Sequence, residues 1–364
     1  MRKLYAGISV LWAIVKIKFF GRRIPVYCEW ELTHSCNLDC RFCSTGASSN
    51  YNPAEESPTD RIYSQMDQLK ALGVRVIHFS GGEPTLKKDF LEIVRYAKAK
   101  GIVVVVTSNG VTNKQTIRAL LEADLVRISI DGKEELHDSL RRRKGSFGRA
   151  IETVKELNQH GIQPLITCVV TKETTLEGVV PLMELIKKEF RAKITFIKMG
   201  PPITDKHLVS MGLMPDINEF LTFFEEIKKR YSDIVVTSDP YLPMLKAGGL
   251  DKYGCRAVDI AIVLDPQGHV KFPCNALVKW KPKIENNLVR LYRDPKVKEM
   301  ARKQGRYPQC KGCAVRCMAS ASAMLKTGGL SRIAVTYLSE LLRKHSNRLA
   351  AEKFPSSVAK AAND

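Results

Sequence analysis

Ile102-Val103-Val104-Val105-Val106-Thr107-Ser108-Asn109-Gly110 is a continuous apolar run that closes on two hydroxyl residues and a turn dipeptide. An uninterrupted run, rather than an alternating one, reads as a strand covered on both faces, the habit of parallel sheets. Outward from it, strand-like segments at 26–32, 74–80, 125–131, 163–171 and 194–199 alternate with helical patterns near 58–72, 87–100, 113–122, 146–160 and 175–189. Six βα repeats with short loops predict a parallel α/β sheet, open or barrel-like. In such folds function collects at the carboxyl ends of the strands.

That edge is where the polar signals fall. Thr33-His34-Ser35-Cys36-Asn37-Leu38-Asp39-Cys40-Arg41-Phe42-Cys43 follows the first strand, Gly81-Gly82-Glu83-Pro84 the second, Asn109-Gly110 the third and Asp131-Gly132 the fourth. Structural zinc takes four ligands, whereas a cubane iron–sulfur cluster takes one thiolate per iron. Cys36, Cys40 and Cys43, spaced C-x3-C-x2-C, would therefore hold three irons and leave the fourth open for a substrate or cosubstrate. Cys28 and Cys168 lie within strand patterns and read as small buried hydrophobes. His34, His137 and His269 have no spacing that argues for metal binding.

Composition frames the chain. Its 364 residues, 44% of them hydrophobic, suffice for one large domain and a smaller one. Ten cysteines, clustered as 36/40/43 and 310/313/317, read as metal ligands in a reducing, cytoplasmic compartment rather than as disulfides. The net charge of +20 serves solubility or attraction to an anionic surface. Residues 1–25 carry Arg2, Lys3, Lys16, Lys18, Arg22 and Arg23 with no acid, around an apolar run from Leu4 to Val15 containing Trp12, with Phe19 and Phe20 following. A bilayer span takes roughly 20 apolar residues, and no small-residue cleavage site follows the run. The segment predicts a basic amphipathic helix, lying on a membrane surface or packed on the protein's own core. No recognition motif accompanies the basic residues, so nucleic acid is not an expected partner.

Past Pro201-Pro202 the pattern changes. Residues 216–231 read as an amphipathic helix, Asp265-Pro266-Gln267-Gly268 as a hairpin turn between 258–264 and 269–272, and Asp294-Pro295 as a helix start. Cys310-Lys311-Gly312-Cys313-Ala314-Val315-Arg316-Cys317 follows, and then a basic tail with an apolar stripe through Val335, Leu338, Leu341 and Leu342. The expected domains are a basic amphipathic N-terminal helix (1–25), a core (26–215), a small α+β unit (216–325) and a basic helical tail (326–364).

With Phe42 before the last cysteine and Gly-Gly-Glu-Pro after the second strand, residues 26–200 resemble the radical S-adenosylmethionine (radical SAM) superfamily. The resemblance implies a partial (β/α)6 TIM-type barrel in which Cys36, Cys40 and Cys43 ligate a [4Fe-4S] cluster whose open iron binds SAM. Gly81, Gly82 and Glu83 would receive the methionine amino group. Ser108, Asn109, Ser129 and Asp131 would contact its ribose and methionine parts, Phe42 would lie at the cofactor, and Arg141 would pair with the SAM carboxylate. The later unit resembles the SPASM/twitch auxiliary-cluster domains, which implies a second [4Fe-4S] cluster on Cys255, Cys274, Cys310 and Cys313. Cys317 stands one step beyond these four, Gly268-x5-Cys274 is one residue longer than usual, and a structural zinc on the same four thiolates is the alternative.

The expected activity is reductive cleavage of SAM to a 5′-deoxyadenosyl radical, which removes hydrogen from a membrane-held lipid or isoprenoid, the two basic termini bracketing the active site against the inner leaflet. The alternatives are maturation of a peptide or small protein and, less favoured, a non-enzymatic iron–sulfur carrier. Expected partners are a small-molecule or lipid substrate, an electron donor such as flavodoxin or ferredoxin, and a peripheral membrane contact. No side chain stands out as a catalytic acid, base or radical-quenching residue.

Overall fold

The computed structural model describes residues 2–43, 52–200, 212–236, 241–284 and 287–326. The six strands of the predicted βα run form: β1 (Tyr27–Thr33), β2 (Val76–Gly81), β3 (Val103–Ser108), β4 (Leu125–Ser129), β5 (Leu165–Val170) and β6 (Lys193–Lys198). Of the hairpin arm read over 258–264, by contrast, the first three residues are helical, within Ala257–Ile260. All neighbours are parallel, with Cys28 beside Ile77, Val76 beside Val103, Val105 beside Leu125, Arg127 beside Leu165 and Leu165 beside Lys193. Alternate side chains separate two layers. Cys28 and Trp30, Ile77 and Phe79, Val104 and Val106, and Ile166 and Cys168 are buried in the core, each fully buried large side chain contributing about 1.5–3 kcal/mol. The other face carries polar side chains among valines and leucines such as Val105 and Leu125. Tyr27 Oη lies 2.8 Å from His78 Nδ1, and His78 Nε2 lies 2.7 Å from Thr107 Oγ1, a row across three strands. Burial, together with the charge of Arg127, holds the His78 pKa well below its ordinary value.

A seventh parallel strand, β7 (Ala261–Leu264), comes from the later segment and adds to the sheet beside β1, giving the order β6-β5-β4-β3-β2-β1-β7. The chain then turns at 265–268, where the Gly268 N–H donates to Asp265 O at 3.1 Å. It returns as β8 (Phe272–Cys274), which pairs antiparallel with β9 (Leu277–Trp280). Lys271 on the returning limb reaches Glu31 on the polar face of β1 at 2.5 Å, tying this hairpin to the sheet.

The helices between strands are α2 (Thr59–Leu72), α3 (Phe90–Ala99), α4 (Ile117–Glu122), α5 (Glu134–Arg141), α6 (Ser146–Gln159) and α7 (Leu176–Glu189). Of these, α5 had no counterpart in the apolar periodicity, because only two of its eight residues, Leu136 and Leu140, are apolar. Helix α8 (Ile217–Tyr231) opens on a capping box between Asp216 and Glu219 and packs Phe224 edge-on against Phe196 of β6. Asp294 caps the helix Pro295–Lys303 as its sequence predicts. The tail from 327, with its apolar stripe, lies outside the described residues.

Helix α1 (Arg2–Phe20) buries Ala6, Val10, Ala13, Ile14 and Ile17 in the core. Its start is held by Lys3, 3.6 Å from Asp124 just before β4. Just beyond its end, the Ile24 N–H donates to Asp259 O, two residues before β7. The helix therefore crosses the amino-terminal ends of the strands, opposite the edge that carries the cysteine triad. No described helix is long and apolar enough to cross a membrane.

Candidate active site

The loop after β1 is built around backbone contacts that only glycine permits. The Gly82 N–H donates to Thr33 O at 2.7 Å and the Glu83 N–H to Ser35 O at 2.8 Å, stitching the loops after β1 and β2 together. A Cβ on Gly82 would fall 2.2 Å from Ser35 O, and one on Gly81, at φ +121°, would fall 2.5 Å from Thr33 O. The two glycines thus serve the triad loop itself. Glu56, absent from the sequence reading, supports the same loop by accepting from Thr33 Oγ1 at 2.6 Å and from the His34 N–H at 2.9 Å.

Glu83 is wholly buried. One carboxylate oxygen accepts from the Thr85 hydroxyl at 2.8 Å and the Thr85 N–H at 3.2 Å, and the other from the Asn109 N–H at 2.6 Å. Burial nevertheless raises its pKa above the usual carboxylate value. The side chain of Asn109 donates to Asn37 Oδ1 at 2.7 Å, and Asn37 donates to Val111 O at 2.9 Å, so the turn after β3 is locked to the segment between Cys36 and Cys40. Ser108 Oγ accepts from the Gly110 N–H at 3.0 Å within that turn. Ser129 is buried beside Thr167 of β5.

Asp131, fully buried, accepts from the Val169 N–H at 3.0 Å and from Arg141 Nε at 2.6 Å. Its two oxygens are taken up within the protein. Arg141 in turn places Nη1 3.7 Å from the Cys40 sulfur and stacks over the Phe42 ring at 5.0 Å. Burial opposes the Arg141 charge, but Asp131 and Cys40 more than offset it and hold its pKa above the ordinary arginine value. Phe42 also packs on Met199 and Leu213. His137 accepts from the Asp131 N–H through Nδ1 at 3.2 Å, and burial depresses its pKa to about 4, which keeps the ring neutral.

The end of α5 clamps the triad loop in a way the sequence did not disclose. Arg143 donates to Asn37 O at 2.7 Å, Arg142 pairs with Asp39 at 3.0 Å, and the Arg41 N–H donates to Leu140 O at 2.9 Å. Arg41 is held on its other side by a two-pronged pair with Glu173, both bonds 2.8 Å. No disulfide joins the described cysteines. Burial raises the Cys36 pKa to about 12, with smaller contributions from Glu83, Cys40 and Cys43, and burial raises that of Cys40 against the pull of Arg141. Thiols this desolvated and mutually repelling suit a group that takes them as thiolates and neutralises them.

Cys255, Cys274, Cys310 and Cys313 line one pocket, walled by Leu250, Pro273, Leu277, Tyr307 and Met318. Burial raises the pKa values of Cys255 and Cys313 to about 12, and neighbouring cysteines add to it. Cys317 falls in the helix Arg316–Ala323, its side chain outside the described residues. Among the described residues no three His, Cys, Asp or Glu side chains are placed to close on a single metal ion. A cubane, with one thiolate per iron, spreads its ligands more widely.

Residues 30–186 match the radical SAM superfamily. The Fe-coproporphyrin III synthase of Methanosarcina barkeri is 31% identical over half of this chain and 45% of its own length. The mycofactocin maturase of Mycobacterium tuberculosis is 26% identical over 82% of this chain and 80% of its own. The chain spans less than half the length of the first curated relatives it matches. Among solved structures, Streptococcus suis SuiB bound to the precursor peptide SuiA is alike with a TM-score of 0.63 at 19% identity, covering 79% of this chain and 69% of that one. Family members bind a [4Fe-4S] cluster and SAM, for which the triad edge supplies thiols, a desolvated carboxylate and glycine-tight loops. Residues 30–186 of this chain are thus a radical SAM domain, and the four cysteines that line one pocket, Cys255, Cys274, Cys310 and Cys313, lie in the segment after it.

Proposed function

We propose that the chain is a radical SAM maturase acting on a peptide or small protein. Cys36, Cys40 and Cys43 would hold the [4Fe-4S] cluster that binds SAM, and Cys255, Cys274, Cys310 and Cys313 an auxiliary one. SAM bound at the triad cluster would supply the chemistry, a 5′-deoxyadenosyl radical and methionine on uptake of one electron from a donor such as flavodoxin or ferredoxin, the radical removing a hydrogen atom from the substrate. The chain's own residues prepare the site. Glu83, turned by Thr85 and Asn109, presents a desolvated carboxylate suited to an ammonium group. Arg141, fixed by Asp131, keeps a cation beside Cys40 and above Phe42. Asp131, one oxygen on the Val169 N–H and the other on Arg141 Nε, positions Arg141.

The observation that carries the peptide reading is the likeness to a maturase along both units of the chain, 82% of its length. A lipid substrate was expected because the basic amino terminus would face the active site toward a leaflet. Instead α1 crosses the opposite edge of the sheet, with Lys3 at Asp124 and Ile24 at Asp259. Co-expression with a short reading frame beside its gene, followed by mass spectrometry, tests the proposal. The peptide should change mass with the native chain and not with Cys40→Ala. An unchanged peptide from a preparation that cleaves SAM contradicts it.

A further inference from the structure

Seven large hydrophobic side chains are exposed among the described residues, and six of them lie on α1: Leu4, Tyr5, Ile8, Trp12, Phe19 and Phe20, at 45–74% exposure. With 3.6 residues per turn, Leu4, Ile8, Trp12 and Phe19 fall within an arc of about 80°. Ala6, Ala13 and Ile17, buried in the core, occupy the opposite side. A helix that is apolar on both sides has a second partner besides its own core. Its stretch 1–25 holds six basic residues and no acid, and Lys16 lies 5.3 Å over the Trp12 ring.

Three residues past the helix end, Arg23 enters a cavity lined also by Arg256, Lys298, Arg302 and Arg306, with Asp259 as its one acid. Asp259 is engaged by Arg256 at 2.7 Å and by Gln304 at 2.6 Å. Among the described residues no carboxylate pairs with the other four cations, and Arg23 Nε is buried without a hydrogen-bond partner. The cavity and α1 share the amino-terminal end of the sheet, since Ile24 bonds Asp259 just before β7.

We infer that the outward face of α1 docks the protein on an anionic membrane surface, with lipid phosphates received in the Arg23/Lys298/Arg302/Arg306 cavity. Apolar and aromatic side chains beside uncompensated cations fit the interfacial and headgroup layers together. The helix lies on the surface rather than through it, because its other face is packed in the core. A second copy fits less well, since face-to-face pairing would bring like charges together. Docked this way, the triad edge points away from the bilayer and stays open to a soluble substrate.

The test is co-sedimentation of the full chain with vesicles of phosphatidylcholine alone or mixed with phosphatidylglycerol. The native chain should sediment with the anionic vesicles and not with the neutral ones, and raised salt should release it. Trp12→Ser with Phe19→Ser, both at exposed positions, should weaken binding about tenfold or more while leaving the melting temperature in place. Lys298→Glu with Arg302→Glu should do the same. No sedimentation with anionic vesicles, equal binding to neutral ones, or native binding by either double variant overturns the inference. So does a native dimer that the Trp12/Phe19 variant dissociates, which would assign the face to a second copy.

Discussion

Arg141 Nε stands 2.6 Å from Asp131 Oδ2, a pair buried almost completely beneath the cysteine loop. Asp131 follows β4 and Arg141 ends α5, so the pair fixes the helix against the sheet and aims the guanidinium at Cys40. Removing one partner of a buried pair costs about 3–5 kcal/mol because the other charge is left behind. Asp131→Ala should therefore destabilise the metal-free chain by about that much, as read from denaturant midpoints. Arg141→Met, which strands the buried Asp131 carboxylate on the Val169 N–H alone, should cost a similar amount.

Gly82→Ala is expected to damage the triad while sparing the sheet. Its Cβ would meet the Ser35 carbonyl at 2.2 Å, so the loop before Cys36 must move. After anaerobic reconstitution the variant should hold clearly less iron per chain than the native protein. Full iron content would show that the glycine-tight contact between the two loops is dispensable.

Glu83→Gln tests the carboxylate. The amide keeps the shape but loses the charge, and its NH2 would face one of the N–H donors, Thr85 or Asn109. SAM affinity, measured by equilibrium dialysis on the reconstituted protein, should fall about tenfold or more, as expected for loss of a charge-assisted bond. Unchanged affinity would remove Glu83 from the site.

His137 sets an acid limit on stability. Its folded pKa of about 4 lies below the ordinary histidine value of 6.5 because the ring is buried. The unfolded chain thus binds the proton more readily, and stability falls as pH drops from about 6.5 toward 4, by on the order of 3 kcal/mol for this group. Denaturant titrations of the metal-free chain across that range should show the slope, and His137→Phe should flatten it.

The edge that carries the site was legible because its signals are local: the cysteine spacing, the Gly-Gly-Glu after β2 and the apolar run of β3 each announce themselves within a few residues. What stayed hidden is made of contacts between distant segments. Asn37 between two cysteines, Arg143 at the end of α5 and Glu56 before α2 carry no motif, yet each bonds the triad loop. The place of α1 was illegible for the same reason. An apolar basic helix reads alike at either end of a barrel, and only Lys3 at Asp124 and Ile24 at Asp259 decide which. Residues 258–264 read only as one arm of a hairpin; the place of Ala261–Leu264 as a seventh parallel strand escaped because four residues are too few to declare a partner more than two hundred positions away.

The most direct test of the account is anaerobic turnover. The reconstituted chain, given dithionite and SAM, should release 5′-deoxyadenosine and methionine, and Cys40→Ala should release none. 5′-Deoxyadenosine from the Cys40→Ala variant, or none from a native chain carrying its full iron, would contradict the assignment of the triad edge as a SAM-cleaving site.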